Sequence, residues 1–156
     1  MKGQICIRNN YTCINTEEMI EYRVNDHVIQ NELDPFFQNW KSPPSSEIKG
    51  KLLQGSDLII TARENGKLVG FLSAISDGAM HAFITLLEVL ETHQGKGIGK
   101  HLVKLAISHF KGYYDIVLIT DSDKKAFYEK FGFHEIYGMH KRDFTYGEGN
   151  KFNNTR

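Results

Sequence analysis

Cysteine is nearly absent from this chain, with Cys6 and Cys13 the two in 156 residues. A disulfide scaffold is thereby excluded, and the pair, placed in one apolar stretch at an odd spacing, would lie on opposite faces of a regular strand as buried free thiols. Net charge is lacking too. Nineteen Lys plus Arg balance nineteen Asp plus Glu, so no overall field draws the protein to nucleic acid or to an acidic membrane, and a polyanion site has to be local. No stretch approaches the roughly 18 consecutive apolar residues of a membrane span, and no basic segment followed by a long apolar run opens the chain. The expected location is cytoplasmic. Proline occurs only at positions 35, 43 and 44, which marks one irregular connection, and there are no internal repeats or low-complexity tracts.

What is present is ordinary globular usage, with 40% apolar and 24% charged residues. This length supports one well-buried core and is short for two, so the expected organisation is a single domain over residues 1–145 and a polar, loose tail over 146–156.

Residues 4–14 (QICIRNNYTCI) read as a strand with a polar interruption. Thr16, followed by Glu17 and Glu18, resembles a helix N-cap, and Ile20, Val24 and Val28 recur every four residues, so an amphipathic helix is expected from there. Residues 33–44 (LDPFFQNWKSPP) combine three large aromatics with the prolines in a packed but irregular connection, after which Ser45 or Ser46 can cap a short helix ending near Gly55. From Asp57 three antiparallel strands follow, DLIITARE, KLVGFLSAIS and AMHAFITLLEVL. They are separated by Asn65-Gly66 and Asp77-Gly78, hairpin signals because both central positions of a type I′ turn need positive φ. A helix then carries Ile98, Leu102, Ala106 and Phe110 on one ridge, with Val103 and Ile107 beside it, and ends at Gly112. Ile116 to Ile119 are uniformly apolar, as in a strand covered on both faces, and the preceding helix makes a parallel crossover the natural connection. A short helix over 123–131, broken by Gly132, and a final antiparallel strand over 133–144 complete the expectation.

Between the third of those strands and the long helix stands Gln94-Gly95-Lys96-Gly97-Ile98-Gly99-Lys100. Glycines let backbone N–H groups approach phosphate oxygens, and a helix N-terminus adds unsatisfied donors and the positive end of its dipole, so the turn can cradle a pyrophosphate. A nucleoside-triphosphate loop is disfavoured, because Gln94 and His101 stand where that motif needs a glycine and a Ser or Thr. A nicotinamide site is disfavoured as well. The spacing is Gly-x-Gly-x-Gly, not Gly-x-Gly-x-x-Gly, and it follows a hairpin array instead of opening a parallel unit.

The turn resembles the signature of the GNAT acetyltransferases: Gln or Arg, two residues, Gly, one residue, then Gly or Ala. Gln94, Gly97 and Gly99 meet it. Leu86-Leu87-Glu88-Val89-Leu90 resembles that family's fourth strand, and Ala126-Phe127-Tyr128-Glu129-Lys130-Phe131-Gly132-Phe133 its fourth-helix motif. Order and spacing agree over roughly residues 4–144. The segments Trp40-Lys41-Ser42-Pro43-Pro44-Ser45, Ala74-Ile75-Ser76-Asp77-Gly78 and Gly138-Met139 look like an uncharacterised bacterial branch of the superfamily. Glu91 stands where a proline is common. The resemblance implies a mixed α+β fold whose central, mostly antiparallel sheet contains one parallel, splayed strand pair and is flanked by helices. It also implies N-acetyltransfer from acetyl-coenzyme A to a primary amine. The cofactor would be held by Gln94, Gly95, Lys96, Gly97, Ile98, Gly99 and Lys100, by the strand backbone at Glu88, Val89 and Leu90, and by Phe127. Tyr128 would hydrogen-bond the departing sulfur, and similar proteins commonly form homodimers.

The chemistry needs a base or a proton relay. A lysine-like amine has a pKa of about 10.4, so deprotonating it at pH 7 costs about 4 to 5 kcal/mol before it can attack a thioester. Glu88, an acid within an apolar strand, is the first candidate, since such a setting raises a carboxyl pKa; its other reading is an outward position or a Lys pair. Glu91 and His93 rank lower. Tyr128 can also be read as a core aromatic beside Phe127. A phenol near pKa 10 is a weaker acid than a thiol near 8.5, so hydrogen bonding to the developing thiolate comes before full proton transfer. Phe36, Phe37 and Trp40 fall where the family builds a wall of the acceptor pocket, near Glu17, Glu18, Glu21, Asp26, Glu32 and Asp34 in sequence. The alternative is an aromatic core beside a solvated acidic face. The seven histidines show no ligand pair at helical spacing, so no metal is expected. The functions that remain open are acetylation of a small amine, acetylation of a protein or peptide, and non-catalytic binding of an acyl-coenzyme A.

Overall fold

The computed structural model describes residues 5–7, 12–15, 20–40, 42–139 and 141, with side chains from residue 20 onward. Its centre is one sheet of seven strands in sequence order: β1 (Ile5–Ile7), β2 (Thr12–Asn15), β3 (Ile20–Val24), β4 (Leu58–Glu64), β5 (Lys67–Ser76), β6 (His81–Val89) and β7 (Asp115–Leu118). Neighbours from β1 to β6 are antiparallel, and β6 and β7 alone are parallel. The helices are α1 (Ser46–Leu52), α2 (Ile98–His109) and α3 (Lys125–Glu129). None among the described residues is long and apolar enough to cross a membrane.

The N-terminal third departs from the sequence expectation in two places. The expected strand over 4–14 gives way, among the described residues, to two short strands, β1 and β2, with Cys6 set opposite Cys13 in an antiparallel register. The helix expected from Thr16 is replaced by β3, and residues 16–19 lie outside the described residues. Ile20 and Val24, four apart, satisfy a period of two as well as a helical stripe. Tyr22 between them is buried, which decides for alternation, and five residues of β3 then pair with β4.

Residues 26–40 hold the other face of the sheet. Arg63 on β4 is buried, and its guanidinium donates to Asp26 at 2.8 Å, to both Glu32 oxygens, and to the carbonyls of His27 and Gly66. Thr61 also donates to Asp26, at 2.6 Å. Asp26 and Glu32 are thus not a solvated acidic face; they neutralise a buried cation and pin the loop to β4. Burial raises the Asp26 carboxyl, but the Thr61 and Arg63 hydrogen bonds outweigh it and hold the group below its ordinary value. Glu32 is held low first by its Arg63 hydrogen bond.

Two apolar clusters lie on opposite faces of the sheet. One packs Ile60, Leu72 and Ile84 against Ile98, Leu102, Val103, Ala106 and Phe110 of α2, the ridge expected from periodicity. The other joins Phe71 to Leu33, Phe36, Phe37 and Leu53. Ser45 caps α1, its hydroxyl accepting from the Ile48 N–H. Asn65 and Gly66 both have positive φ, 50° and 80°, and close the β4–β5 turn as expected. The β5–β6 link is longer than Asp77-Gly78 suggested: the Asp77 carboxylate accepts from the N–H groups of Ala79, Met80 and His81 and rounds a four-residue loop.

Two further expectations fail at the C-terminal edge. Residues of β7 are only partly covered and Ile119 is 60% exposed, so the apolar run does not mark a strand buried on both faces. Residues 133–139 form no strand, and Ile136, Tyr137 and Met139 are exposed. The rest of that expected strand, apart from Lys141, lies outside the described residues. The helix over 123–131 is a 3-10 turn at Ser122–Lys124 running into α3.

Candidate active site

The site begins with a defect in the sheet. Ser73 pairs with Leu86 and Ala74 with Ile84, which leaves Thr85 as the extra residue of a β-bulge. Its hydroxyl meets the Ser73 hydroxyl at 2.7 Å and the Ser73 carbonyl at 3.1 Å. A bulge switches the alternation of faces. Ile84, Leu87 and Val89 therefore all pack toward α2, while Leu86 joins the Phe71 cluster and Glu88 shares that face.

The bulge also ends the parallel pairing. The β6–β7 ladder runs from His81↔Asp115 to Ile84↔Leu118 and stops. Beyond it, among the described residues, no strand pairs with the β6 edge at 85–89 on the β7 side. Next to that edge the Gln94 side chain donates to the Val89 carbonyl at 3.0 Å and ties the glycine turn to the strand end.

Gly95 and Gly97 have φ of 76° and 85°, the left-handed region that glycine enters without strain. Gly97 is the N-cap of α2, and the first bond across the cap runs from the His101 N–H to the Gly97 carbonyl at 3.0 Å. The N–H groups of Ile98, Gly99 and Lys100 therefore point out of the helix start without an intrahelical acceptor. Lys96 and Lys100 are exposed beside them. Gly70 lets α2 approach the sheet: a Cβ there would sit 3.2 Å from the Glu88 carbonyl and 3.2 Å from Ile98 Cγ2. At Gly99 a Cβ would sit 3.7 Å from both Phe127 and Val89, which places Phe127 against the turn.

Glu88 is half-buried, and its Oε1 accepts from the Trp40 indole N–H at 2.7 Å. Neither an outward position nor a Lys pair describes it. Burial pushes its carboxyl above the ordinary range, and the Trp40 hydrogen bond opposes that rise. Tyr128, on α3, is also half-buried, edge-on to Phe127 at 4.9 Å and to Phe133 at 6.0 Å. Burial raises the phenol first, and the negative charge of Glu88 raises it further. The charge of Glu88 is thus felt at a phenol forty positions away in sequence.

The lower-ranked candidates are engaged elsewhere. Glu91 accepts from the Asn39 side chain at 2.6 Å, and the His93 ring meets Glu64 at 3.2 Å. Phe36 and Phe37 are core residues, whereas Trp40 is 45% exposed and reaches the site. Sequence reasoning missed the contacts of Asn39 with Glu91 and of Trp40 with Glu88. No local signal pointed to them, because the partners lie 52 and 48 positions apart.

A sequence profile of the acetyltransferase (GNAT) family matches residues 25–133. The chain belongs to that family. An uncharacterised N-acetyltransferase of Pyropia yezoensis is 31% identical over 99 residues, which are 60% of this chain; the chain spans 57% of that relative's length. Among solved structures, a candidate acetyltransferase of Deinococcus radiodurans superimposes with a TM-score of 0.74 at 30% identity, covering 81% of this chain and 90% of the other. A GNAT acetyltransferase of Streptococcus pneumoniae does so with a TM-score of 0.69 at 26% identity, covering 80% and 98%. The GNAT fold expected from the glycine turn is the fold observed, with β6 and β7 as its splayed parallel pair.

Proposed function

We propose that this GNAT protein is an acetyl-coenzyme A-dependent N-acetyltransferase acting on a primary amine of a small molecule. The observation that supports it best is the convergence of three features near the end of β6: free amides at residues 98–100, a strand edge that no described strand pairs, and a half-buried carboxylate, Glu88, whose charge reaches the Tyr128 phenol. The residues fit the cofactor. A helix N-terminus with flanking lysines suits a pyrophosphate, and the β6 edge offers backbone groups to an amide-bearing arm. Gln94, Gly95, Lys96, Gly97, Ile98, Gly99 and Lys100 form the anion cradle, with Val89, Leu90 and Phe127 beside the arm.

When bound, acetyl-coenzyme A supplies a thioester whose C–S bond breaks as the C–N bond forms. Glu88 accepts the proton that the acceptor ammonium must lose. Its raised pKa is suited to that transfer, since a base closer to the operating pH is a stronger one. Tyr128, held protonated by burial and by Glu88, donates a hydrogen bond to the departing sulfur, which stabilises charge without requiring full transfer. The turn carrying Asn39 and Trp40 covers one side of this region, which favours a small acceptor over a folded protein.

Thiol release from acetyl-coenzyme A, followed across a panel of small amines and N-terminal peptides, tests the reading. Turnover with a small amine, reduced about a hundredfold or more in Glu88→Gln, is the expected result. Tight cofactor binding with no turnover on any amine would point instead to a non-catalytic acyl-carrier module.

A further inference from the structure

Resting on the assignment of Glu88 as base, we propose that Trp40 is its positioning residue: the indole N–H fixes one carboxylate oxygen and sets the proton affinity of the other.

The geometry is a closed ring of four contacts. Trp40 donates to Oε1 of Glu88 at 2.7 Å. The Trp40 and Phe37 rings meet edge-on at 5.1 Å, and Phe37 in turn packs on Phe71 at 6.1 Å. Phe71 is the residue directly opposite Glu88 in the β5–β6 register, and so stands beside it on the same face. Every link of the ring is thereby anchored to the sheet that carries the carboxylate.

The turn bearing Trp40 is held in place at some cost. Phe37 has φ of 68°, a conformation a bulky residue avoids, yet it is buried and its carbonyl accepts the backbone N–H of Trp40 at 3.1 Å. A second clasp, Asn39 to Glu91 at 2.6 Å, joins the same turn to the residues just after β6. A tryptophan that only filled core space would not be 45% exposed with its one donor aimed at an acid.

The consequence is an orientation. Oε1 is occupied, and among the described residues Oε2 has no hydrogen-bond partner, which leaves it to receive a proton from the amine. The indole N–H stabilises the ionised carboxylate, so losing it moves Glu88 toward the protonated state. The other ionisable groups near this arrangement are Tyr128 on α3, Glu91 on the segment after β6, and Lys49 of α1, whose Nζ stands 5.8 Å from the Phe37 ring and donates to the Asp34 carbonyl. Phe71 and Asn39 bring no charge.

Trp40 is the one tryptophan of the chain, so its fluorescence reports this contact directly. Wild-type emission is expected to titrate with the ionisation of Glu88, and that transition should vanish in Glu88→Gln, where Trp40 itself is untouched. In Trp40→Phe, which keeps an aromatic ring against Phe37, the carbon resonance of the Glu88 carboxyl is expected to titrate about one pH unit higher. The acid limb of kcat/KM should move with it. An emission transition that persists in Glu88→Gln, or a Glu88 titration unmoved in Trp40→Phe, overturns the proposal. Turnover retained by Glu88→Gln removes the base assignment instead, and neither the emission nor the resonance readout depends on it.

Discussion

Substituting Gly97 separates backbone strain from anion recognition. A Cβ at this position meets nothing within 4 Å, so side-chain crowding contributes nothing and the cost of alanine is the cost of its φ of 85°. A non-glycine residue in the left-handed region loses about 1 to 2 kcal/mol, which for a chain of this size lowers Tm by roughly 2 to 8 °C. Gly97→Glu carries the same strain but recovers about 0.5 kcal/mol, because a carboxylate beside the helix start is favourable. Gly97→Asn should be the least destabilised, since asparagine tolerates this conformation. Affinity should follow another order. A glutamate carboxylate close to a bound diphosphate faces a repulsion of up to about 4 kcal/mol at 4 Å. Solvent screening reduces this to about 2 kcal/mol, or roughly thirtyfold in Kd. Calorimetric titration of coenzyme A into the three variants, alongside their melting curves, reads both effects. If Gly97→Glu bound coenzyme A within threefold of Gly97→Ala, the phosphates would not lie at this turn.

Tyr128→Phe keeps the aromatic packing against Phe127 and Phe133 and should lower kcat tenfold or more with little change in the KM for acetyl-coenzyme A, as steady-state kinetics would show; unchanged turnover rejects its role. Gly70→Ala places a methyl 3.2 Å from the Glu88 carbonyl and from Ile98, so α2 must shift from the sheet. A stability loss of about 1 to 3 kcal/mol in denaturant melts, with weaker coenzyme A binding, is the expected pair of effects. Arg63→Ala removes the buried guanidinium from both Asp26 and Glu32 and should cost about 3 kcal/mol, the low end for a buried pair because Glu32 keeps some contact with water and Asp26 keeps Thr61 and Arg23. Asp26 and Glu32 have lowered folded-state pKa values, so in the wild type their contribution is present above the unfolded value of about 4 and lost as pH falls through the folded one. Acid unfolding of Arg63→Ala should lack that part of the pH dependence; identical profiles would contradict the assigned pairing.

The central strands and α2 were readable from residue patterns because each rests on a local signal: Asn65-Gly66 for positive φ, a four-residue ridge on α2, glycines at the helix start. β3 was misread because Ile20 and Val24 fit two periods at once, and only its pairing with β4 separated them. The four-residue loop after β5 escaped notice because Asp77 acts through its side chain, bonding three amides beyond it. Asp26 and Glu32 looked solvated because their cation, Arg63, lies 37 and 31 positions away.

The amino-acid order alone determined that this chain presents glycine-freed amides between a strand and an amphipathic helix, since backbone freedom, helix polarity and apolar periodicity are properties of neighbouring residues. Which carboxylate's charge reaches which phenol, and that an indole N–H holds the first, was decided only by tertiary structure. Those relations join Trp40, Glu88 and Tyr128, residues forty or more positions apart, and depend on a bulge at Thr85 that turns Glu88 to the face where Trp40 waits. Local sequence carries no record of which distant segment will pack on a given face, because that outcome minimises the free energy of the whole chain.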